Sequence, residues 1–242
     1  TKYGIDLYGE SKLAGILEEL SKIEEIKWIR FLYSYPEGIT DELIEVVKNN
    51  KKIAKYFDIP IQHISNKVLK RMNRRTSKEQ IISLIEKIKN KIPDVTLRTT
   101  VMVGFPGETK EDFEELYEFV KQTKFDKLGA FMYSKEDGTP AAKLPSQIHG
   151  NTKKARYNKI MRLQEQISRN LLENKKSKTN LVLIENISYD NKYYIGRTIE
   201  NAPDIDGIVY IKNELKNQNM LNKFVECDII DISDYDLIAK FK

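Results

Sequence analysis

The chain has 242 residues, 40% hydrophobic and 32% charged, the balance of an ordinary globular protein with room for one α/β domain and a smaller second one. No apolar run approaches the ~20 residues a membrane span needs, and no basic-then-apolar signal segment is visible, so the expectation is a cytoplasmic protein without a membrane partner. The single cysteine, Cys227, excludes an internal disulfide and cannot alone hold zinc or an iron–sulfur cluster; within Phe224 to Ile230 it reads as a half-buried strand residue.

Charge is unevenly spread. Residues 1–177 carry 33 Lys and Arg against 25 Asp and Glu, whereas residues 178–242 carry 8 against 11. An acidic C-terminal module suits a basic protein surface better than a phosphate backbone, which rewards Lys and Arg.

In chain order, Thr1 opens in what reads as a loop. Ile26 to Tyr33 is a β-branched and aromatic run that reads as a strand, closed by Pro36. Thr40 caps a helix beginning Asp41-Glu42-Leu43, with acids in the first turn where the helix dipole favours them. Tyr56 to His63 reads as the next strand, with Pro60 near its end. A short helix over Asn66 to Arg74 follows, then Thr76 or Ser77 opens a helix over Lys78 to Asn90. After Pro93 come the strand Val95 to Val103, the turn Gly104-Phe105-Pro106-Gly107, a helix over Lys110 to Thr123 and the strand Leu128 to Tyr133. Strands alternating with helices at this spacing imply parallel pairing through right-handed crossovers.

Asn151 to Asn174 reads as a polar connector helix, with Ile160, Leu163, Ile167 and Leu171 on one face. From Lys178 the apolar period becomes two. Short strands over Leu181 to Ile184, Tyr193 to Thr198, Ile208 to Ile211, Phe224 to Ile232 and Asp236 to Ala239 suggest a small antiparallel β-barrel. The expected organisation is therefore an α/β domain over residues 1–150, a connector over 151–177 and the barrel over 178–242.

Parallel α/β sheets keep ligands at the carboxyl ends of their strands. Glycines at 104 and 107 let backbone approach something bound there. The same rim should gather Asp58, Gln62 and His63, then Arg98, Thr99 and Thr100, then Tyr133, Ser134, Glu136 and Asp137. A lone histidine such as His63 is usually a structural hydrogen-bonder. Arg98 on an apolar strand must meet a carboxylate, from the protein (Asp58 or Glu108) or from a ligand. No nucleophile–base triad and no metal-ligand spacing is apparent. Residue chemistry alone thus gives a small-molecule pocket without a named reaction.

Asp-Leu-Tyr-Gly (6–9), Trp-Ile-Arg-Phe-Leu-Tyr-Ser-Tyr-Pro (28–36), Asp-Ile-Pro-Ile-Gln-His-Ile-Ser (58–65) and Met-Asn-Arg (72–74) occur in order along the chain. Leu-Arg-Thr-Thr-Val-Met-Val-Gly-Phe-Pro-Gly-Glu-Thr (97–109), Tyr-Ser-Lys-Glu-Asp-Gly-Thr-Pro-Ala-Ala (133–142) and Asn-Ala-Pro-Asp-Ile-Asp-Gly (201–207) continue the series. Together, nearly end to end, they resemble the radical S-adenosylmethionine (SAM) methylthiotransferases of the RimO type, which modify an aspartate of a small-subunit ribosomal protein.

The resemblance implies the later part of an open, TIM-like radical SAM barrel over residues 1–150, followed by a TRAM domain, the small OB-like barrel of these enzymes. It implies a methylthio group added to the β-carbon of the aspartate, using S-adenosylmethionine, two [4Fe–4S] clusters and a reductant protein. The family's Cys-x-x-x-Cys-x-x-Cys loop and its further N-terminal domain are not in this sequence, so no catalytic or metal-binding residue is expected here and the piece alone should be inactive. Carried over by position, Val103 and Gly104 would lie beside the adenine and Gln62 near the ribose and methionine portions. Arg98 and Thr100 would contact the cofactor's carboxylate or ribose, with Phe131 and Tyr133 under the adenine. Phe131 and Tyr133 could equally be barrel core.

Related enzymes act on an adenosine of transfer RNA. Asp58 to Ser65 resembles the ribosomal-protein type, whereas the transfer-RNA enzymes carry Gln-Ser-Gly-Ser there. The acidic C-terminal module agrees, and is expected to dock the basic ribosomal protein. Tyrosines 189, 193, 194 and 210 leave RNA stacking open. An alternative of another class is a non-enzymatic scaffold that binds protein or RNA and has no nucleotide affinity.

Overall fold

The structure is a computed structural model that describes residues 3–214 and 219–242. It divides into two compact units, Thr1–Gln164 and Glu165–Lys242.

The first unit is built on a three-stranded parallel sheet in the order β1 (Tyr56–Asp58), β2 (Thr96–Val103), β3 (Lys127–Met132). Helices α4 (Asn66–Arg71) and α5 (Lys78–Lys91) cross from β1 to β2, and α6 (Lys110–Thr123) crosses from β2 to β3. Their boundaries follow local chemistry. Ser77 and Gln80 form a reciprocal capping box on α5, and Thr109 and Asp112 do the same on α6. Along β2 the positions Leu97, Thr99, Val101 and Val103 are buried, while Arg98, Thr100 and Met102 on the other face are partly exposed. Buried Ile81, Ile85 and Ile88 of α5, and Phe113, Leu116 and Val120 of α6, supply the helical stripes of the core at i, i+3/i+4, i+7 spacing.

Several expectations need correction. Thr1, expected in a loop, lies outside the described residues; two helices that the sequence did not signal, α1 (Ile5–Tyr8) and α2 (Leu13–Ser21), precede α3 (Asp41–Asn49). Residues 26–33 form no strand. Their ladder pairing with the adjoining segment is the isolated Ile29–Ile53 bridge, and contact is otherwise made through side chains, Arg30 over the Tyr56 ring and Phe31 edge-on to Phe57, and through the Tyr33 N–H donated to Asp58 Oδ2 at 3.0 Å. Pairing of residues 56–63 is interrupted: after Asp58 meets Arg98, pairing resumes with Gln62 against Val101, four steps on one strand against three on the other. Pro60, which has no N–H to donate, sits inside this bulge. Helix α4 ends at Arg71 rather than Arg74.

Helix α7 (Gly150–Glu173) spans the boundary between the units. Its buried stripe runs through Ile160, Leu163 and Ile167 to Leu172 rather than Leu171, and takes in Gln164, whose amide donates to the Phe125 carbonyl at 2.9 Å.

The second unit holds a closed barrel in the order β4-β5-β6-β8-β7, from β4 (Thr179–Ile187), β5 (Tyr193–Thr198), β6 (Val209–Lys212), β7 (Phe224–Ile232) and β8 (Leu237–Phe241). Its core is Val182, Ile184, Tyr194, Val209, Ile211, Cys227, Ile229, Leu237 and Ala239, joined by Leu172. The barrel is not antiparallel throughout: β6 and β8 pair in parallel. A ring of five strands cannot alternate direction all the way round, so one seam must be parallel. Cys227 is fully buried in β7, more than expected, and burial pushes its thiol up to about 12. Residues 215–218 of the expected barrel region lie outside the described residues.

Candidate functional site

In a parallel pair, registered residues share a face. Arg98, Thr100 and Met102 of β2 are registered with Lys127, Gly129 and Phe131 of β3, so these six side-chain positions line one face of the sheet. That face is open. A Cβ built on Gly129 meets nothing nearer than Arg98 Nη2 and Phe131 Cε2, both at 4.0 Å, and the Phe131 ring is 59% exposed. Arg98 resolves the choice of partner left by the sequence. Its Nη1 donates to Asp58 Oδ1 at 2.9 Å, and Asp58, fully buried, accepts the Tyr33 N–H on its other oxygen at 3.0 Å. The guanidinium is thus oriented by a buried carboxylate while its 15% exposed side chain stays on the open face.

Gln62 stands at the neighbouring strand end, bridged in register to Val101 of the buried face. Its carbonyl accepts the Met102 N–H at 2.7 Å, and its backbone is left-handed, with φ of 67°. The bulge around Pro60 produces this change of direction at the strand end. Thr99 points the other way, its hydroxyl donating to the Ile59 carbonyl at 2.8 Å.

The turn after β2 is held by a buried carboxylate. Glu108 Oε2 accepts the N–H groups of both Gly104 and Phe105, and Glu108 Oε1 takes Arg156 Nη1 of α7 at 2.7 Å. Burial pushes the Glu108 carboxyl above its ordinary value, opposed by Arg156 and the two amides. Gly104 has φ of 76°, and a Cβ there would overlap Lys153, so the glycine serves both conformation and close packing. Arg71 clamps the far side of the turn, Nε donating to the Pro106 carbonyl at 2.7 Å.

His63, next to Gln62, is fully buried. Its Nδ1 accepts the Ser65 N–H at 3.0 Å, which leaves the proton on Nε2, 3.9 Å from Glu108 Oε2. Burial lowers its pKa to about 4, so the imidazole is neutral. Beside it Asp112 accepts from Ser65 Oγ at 2.7 Å and Lys67 Nζ at 3.2 Å. Burial would raise Asp112, but hydrogen bonds from Thr109, Ser65 and Lys67 bring it down to about 2.

Tyr133 does not join the open face. It is 7% exposed, with its ring 5.2 Å from Phe105 and in a cluster with Val68, and Lys153 donates to its carbonyl at 2.8 Å. This is the core placement the sequence left open. Val103 is likewise buried on the helix-facing side, so only its backbone is at the strand end. Sequence reasoning missed the Glu108–Arg156 pair and the Asp58–Tyr33 contact. The spacing of Glu108 four residues after Gly104 was the available signal for the first; the second joins residues 25 positions apart and left none.

Comparison with known proteins bears on this geometry. The Radical SAM superfamily profile matches residues 5–120, and the TRAM domain profile matches residues 178–241. The chain is 61% identical over 240 residues to ribosomal protein uS12 methylthiotransferase RimO of Alkaliphilus oremlandii, covering 99% of this chain and 55% of that protein. The chain matches the radical SAM and TRAM families and is similar along nearly its whole length to RimO-type methylthiotransferases. Proteins of the same name from Caldicellulosiruptor saccharolyticus and Clostridioides difficile are 52% and 51% identical, each matching 99% of this chain and respectively 54% and 53% of their own lengths. The chain therefore spans about half the length of the curated relatives it matches. Its first unit is a partial TIM-like fold and its second a closed five-stranded barrel.

A match to the radical SAM superfamily brings S-adenosylmethionine and iron–sulfur chemistry in general. The open β2–β3 face, with an oriented guanidinium, a hydroxyl position and an exposed aromatic ring, fits a nucleoside carrying an amino-acid tail. A cluster does not fit these residues. The sequence has one cysteine, packed inside the barrel as a protonated thiol, and the described residues hold no group of three or more His, Cys, Asp or Glu that could bind a metal.

Proposed function

We propose that this chain supplies the cofactor-binding and substrate-docking parts of an enzyme that adds a methylthio group to the β-carbon of an aspartate in ribosomal protein uS12. The observation that carries the reading is the open β2–β3 face, in a chain that matches proteins of that name along 99% of its length. In this reading Arg98 and Thr100 hold the carboxylate or ribose of S-adenosylmethionine. Gln62 reaches the ribose and methionine portions, the Val103–Gly104 backbone borders the adenine, and Phe131 offers its ring. Tyr133, packed behind Phe105, supports that wall. The functional division is a radical SAM core over residues 1–150, a connector over 151–177 and a TRAM domain over 178–242. Two [4Fe–4S] clusters and a reductant protein would act from outside these residues, since side chains supply neither the electron nor the sulfur.

The C-terminal barrel would dock uS12 through its acidic surface. Its exposed Asp204 and Asp234 form no ion pair with a described residue, which leaves them free for a basic partner. No helix among the described residues is long and apolar enough to cross a membrane.

Mass spectrometry of uS12 tests the reading. In cells carrying the gene, one aspartate of uS12 bears a methylthio group; deleting the gene removes it and complementation restores it. An unchanged uS12, with loss instead of a methylthio-adenosine from transfer RNA, would overturn the substrate assignment.

A further inference from the structure

Beyond the cofactor face, the strand-end rim contains a residue whose backbone is strained for no gain in packing. Tyr33 has φ of 59°, in the left-handed region that aromatic side chains avoid, yet its side chain is 70% exposed. An exposed ring recovers none of that cost by burial, and glycine would occupy the position without strain. Tyr35, two residues on, is different: its backbone is extended, and Arg74 lies over its ring at 5.4 Å. The Tyr33 ring and hydroxyl have no comparable partner among the described residues.

The strain is imposed by a fixed anchor. The fully buried Asp58 accepts the Tyr33 N–H at 3.0 Å through Oδ2, and its carbonyl accepts the Ser34 N–H at 2.8 Å. Its Oδ1 meanwhile holds Arg98. One carboxylate therefore sets both the turn at Tyr33 and the guanidinium of the cofactor face. Gln62, on the adjoining strand end, is the second non-glycine residue of this rim held left-handed. Strain of this kind persists where surrounding contacts over-determine it, and it concentrates at ligand-contacting positions.

We propose that Tyr33 is a substrate-contact residue, held in its left-handed turn by Asp58 so that the phenol meets the polypeptide segment of the substrate protein beside the cofactor. A phenol combines an apolar ring with one hydroxyl, which suits a peptide's aliphatic side chains and main-chain carbonyls. This rests on the function proposed above, and the joint anchoring by Asp58 places the substrate contact next to Arg98.

The test compares the 242-residue chain with its Tyr33→Gly and Tyr33→Phe variants in three readouts: affinity for purified uS12, affinity for S-adenosylhomocysteine, and thermal midpoint. Tyr33→Gly is expected to weaken uS12 binding tenfold or more, to leave S-adenosylhomocysteine affinity within about twofold, and to raise the midpoint by about 2–4 °C as the strain is relieved. Tyr33→Phe keeps the ring and should retain most uS12 affinity. Unchanged uS12 binding in Tyr33→Gly overturns the proposal, as does a midpoint lowered by several degrees, which would mark a structural residue. A loss confined to transfer RNA binding overturns it too. Failure of the wild-type chain to bind S-adenosylhomocysteine would instead count against the cofactor reading, so the two failures are distinguishable.

Discussion

Glu108→Ala is expected to destabilise the first unit by about 3–5 kcal/mol, the range seen when one partner of a buried ion pair is removed. The substitution strands the N–H groups of Gly104 and Phe105 and removes the carboxylate from Arg156, whose side chain is only 11% exposed and keeps the Glu108 carbonyl at 3.2 Å and the Phe113 ring. Glu108→Gln keeps an acceptor for the turn and loses only the charge, so about half that loss or less is expected. Trp28, the sole tryptophan, lies in the first unit and reports its denaturant unfolding by fluorescence. Hydrogen exchange at the Gly104 and Phe105 amides should speed up in Glu108→Ala before the rest of β2 is affected. A loss below about 1 kcal/mol would show that the turn is held by packing alone.

The second large effect is on pH dependence. His63 has a folded pKa of about 4, lowered by burial, against an unfolded value near 6.5. Below 6.5 the unfolded chain takes up a proton that the folded chain refuses, so stability falls as pH drops from about 6.5 to 4 and then levels off for this group. The span corresponds to about 3 kcal/mol. Glu108, raised by burial, works in the opposite direction and blunts the lower end of the fall. Asp112, lowered to about 2, adds a further loss only below its unfolded value, and solvent screens much of it. Denaturant titrations followed at Trp28 across pH 4–7 should show the slope in the wild type. It should disappear in His63→Asn, which keeps an acceptor for the Ser65 amide. An equal slope in that variant would assign the acid sensitivity elsewhere.

What the sequence revealed depended on whether the cause was local. Helix α6 was readable to both ends because Thr109 and Asp112 close a capping box and α6 stops where Lys124 turns left-handed. Barrel strands β5 and β7 were readable because their apolar alternation matches the pleat of a one-sided core. Helix α2 was missed because Lys12, at its start, makes no side-chain cap, so no entry signal marks it. Residues 26–33 have strand composition, but a ladder needs a partner in register, and only Ile29 finds one. At the candidate site the residue types were visible and their directions were not. Phe131 and Tyr133 are two residues apart, which suggests a shared face, but the strand ends at Met132 and Tyr133 turns into the Phe105 cluster. The carboxylate partners Asp58 and Glu108 were both candidates for Arg98, and only the register of β1 on β2 selects Asp58.

The central claim is that the open β2–β3 face cradles the cofactor's nucleoside and amino-acid tail. Calorimetric titration of S-adenosylhomocysteine into this chain and its Thr100→Val variant tests it most directly, since the variant removes one half-buried hydroxyl from that face and little else. The account predicts saturable binding by the wild type, weakened about tenfold in the variant with an unchanged thermal midpoint, the effect of losing one ligand hydrogen bond. Absence of binding, or equal affinity in the two proteins, would contradict it.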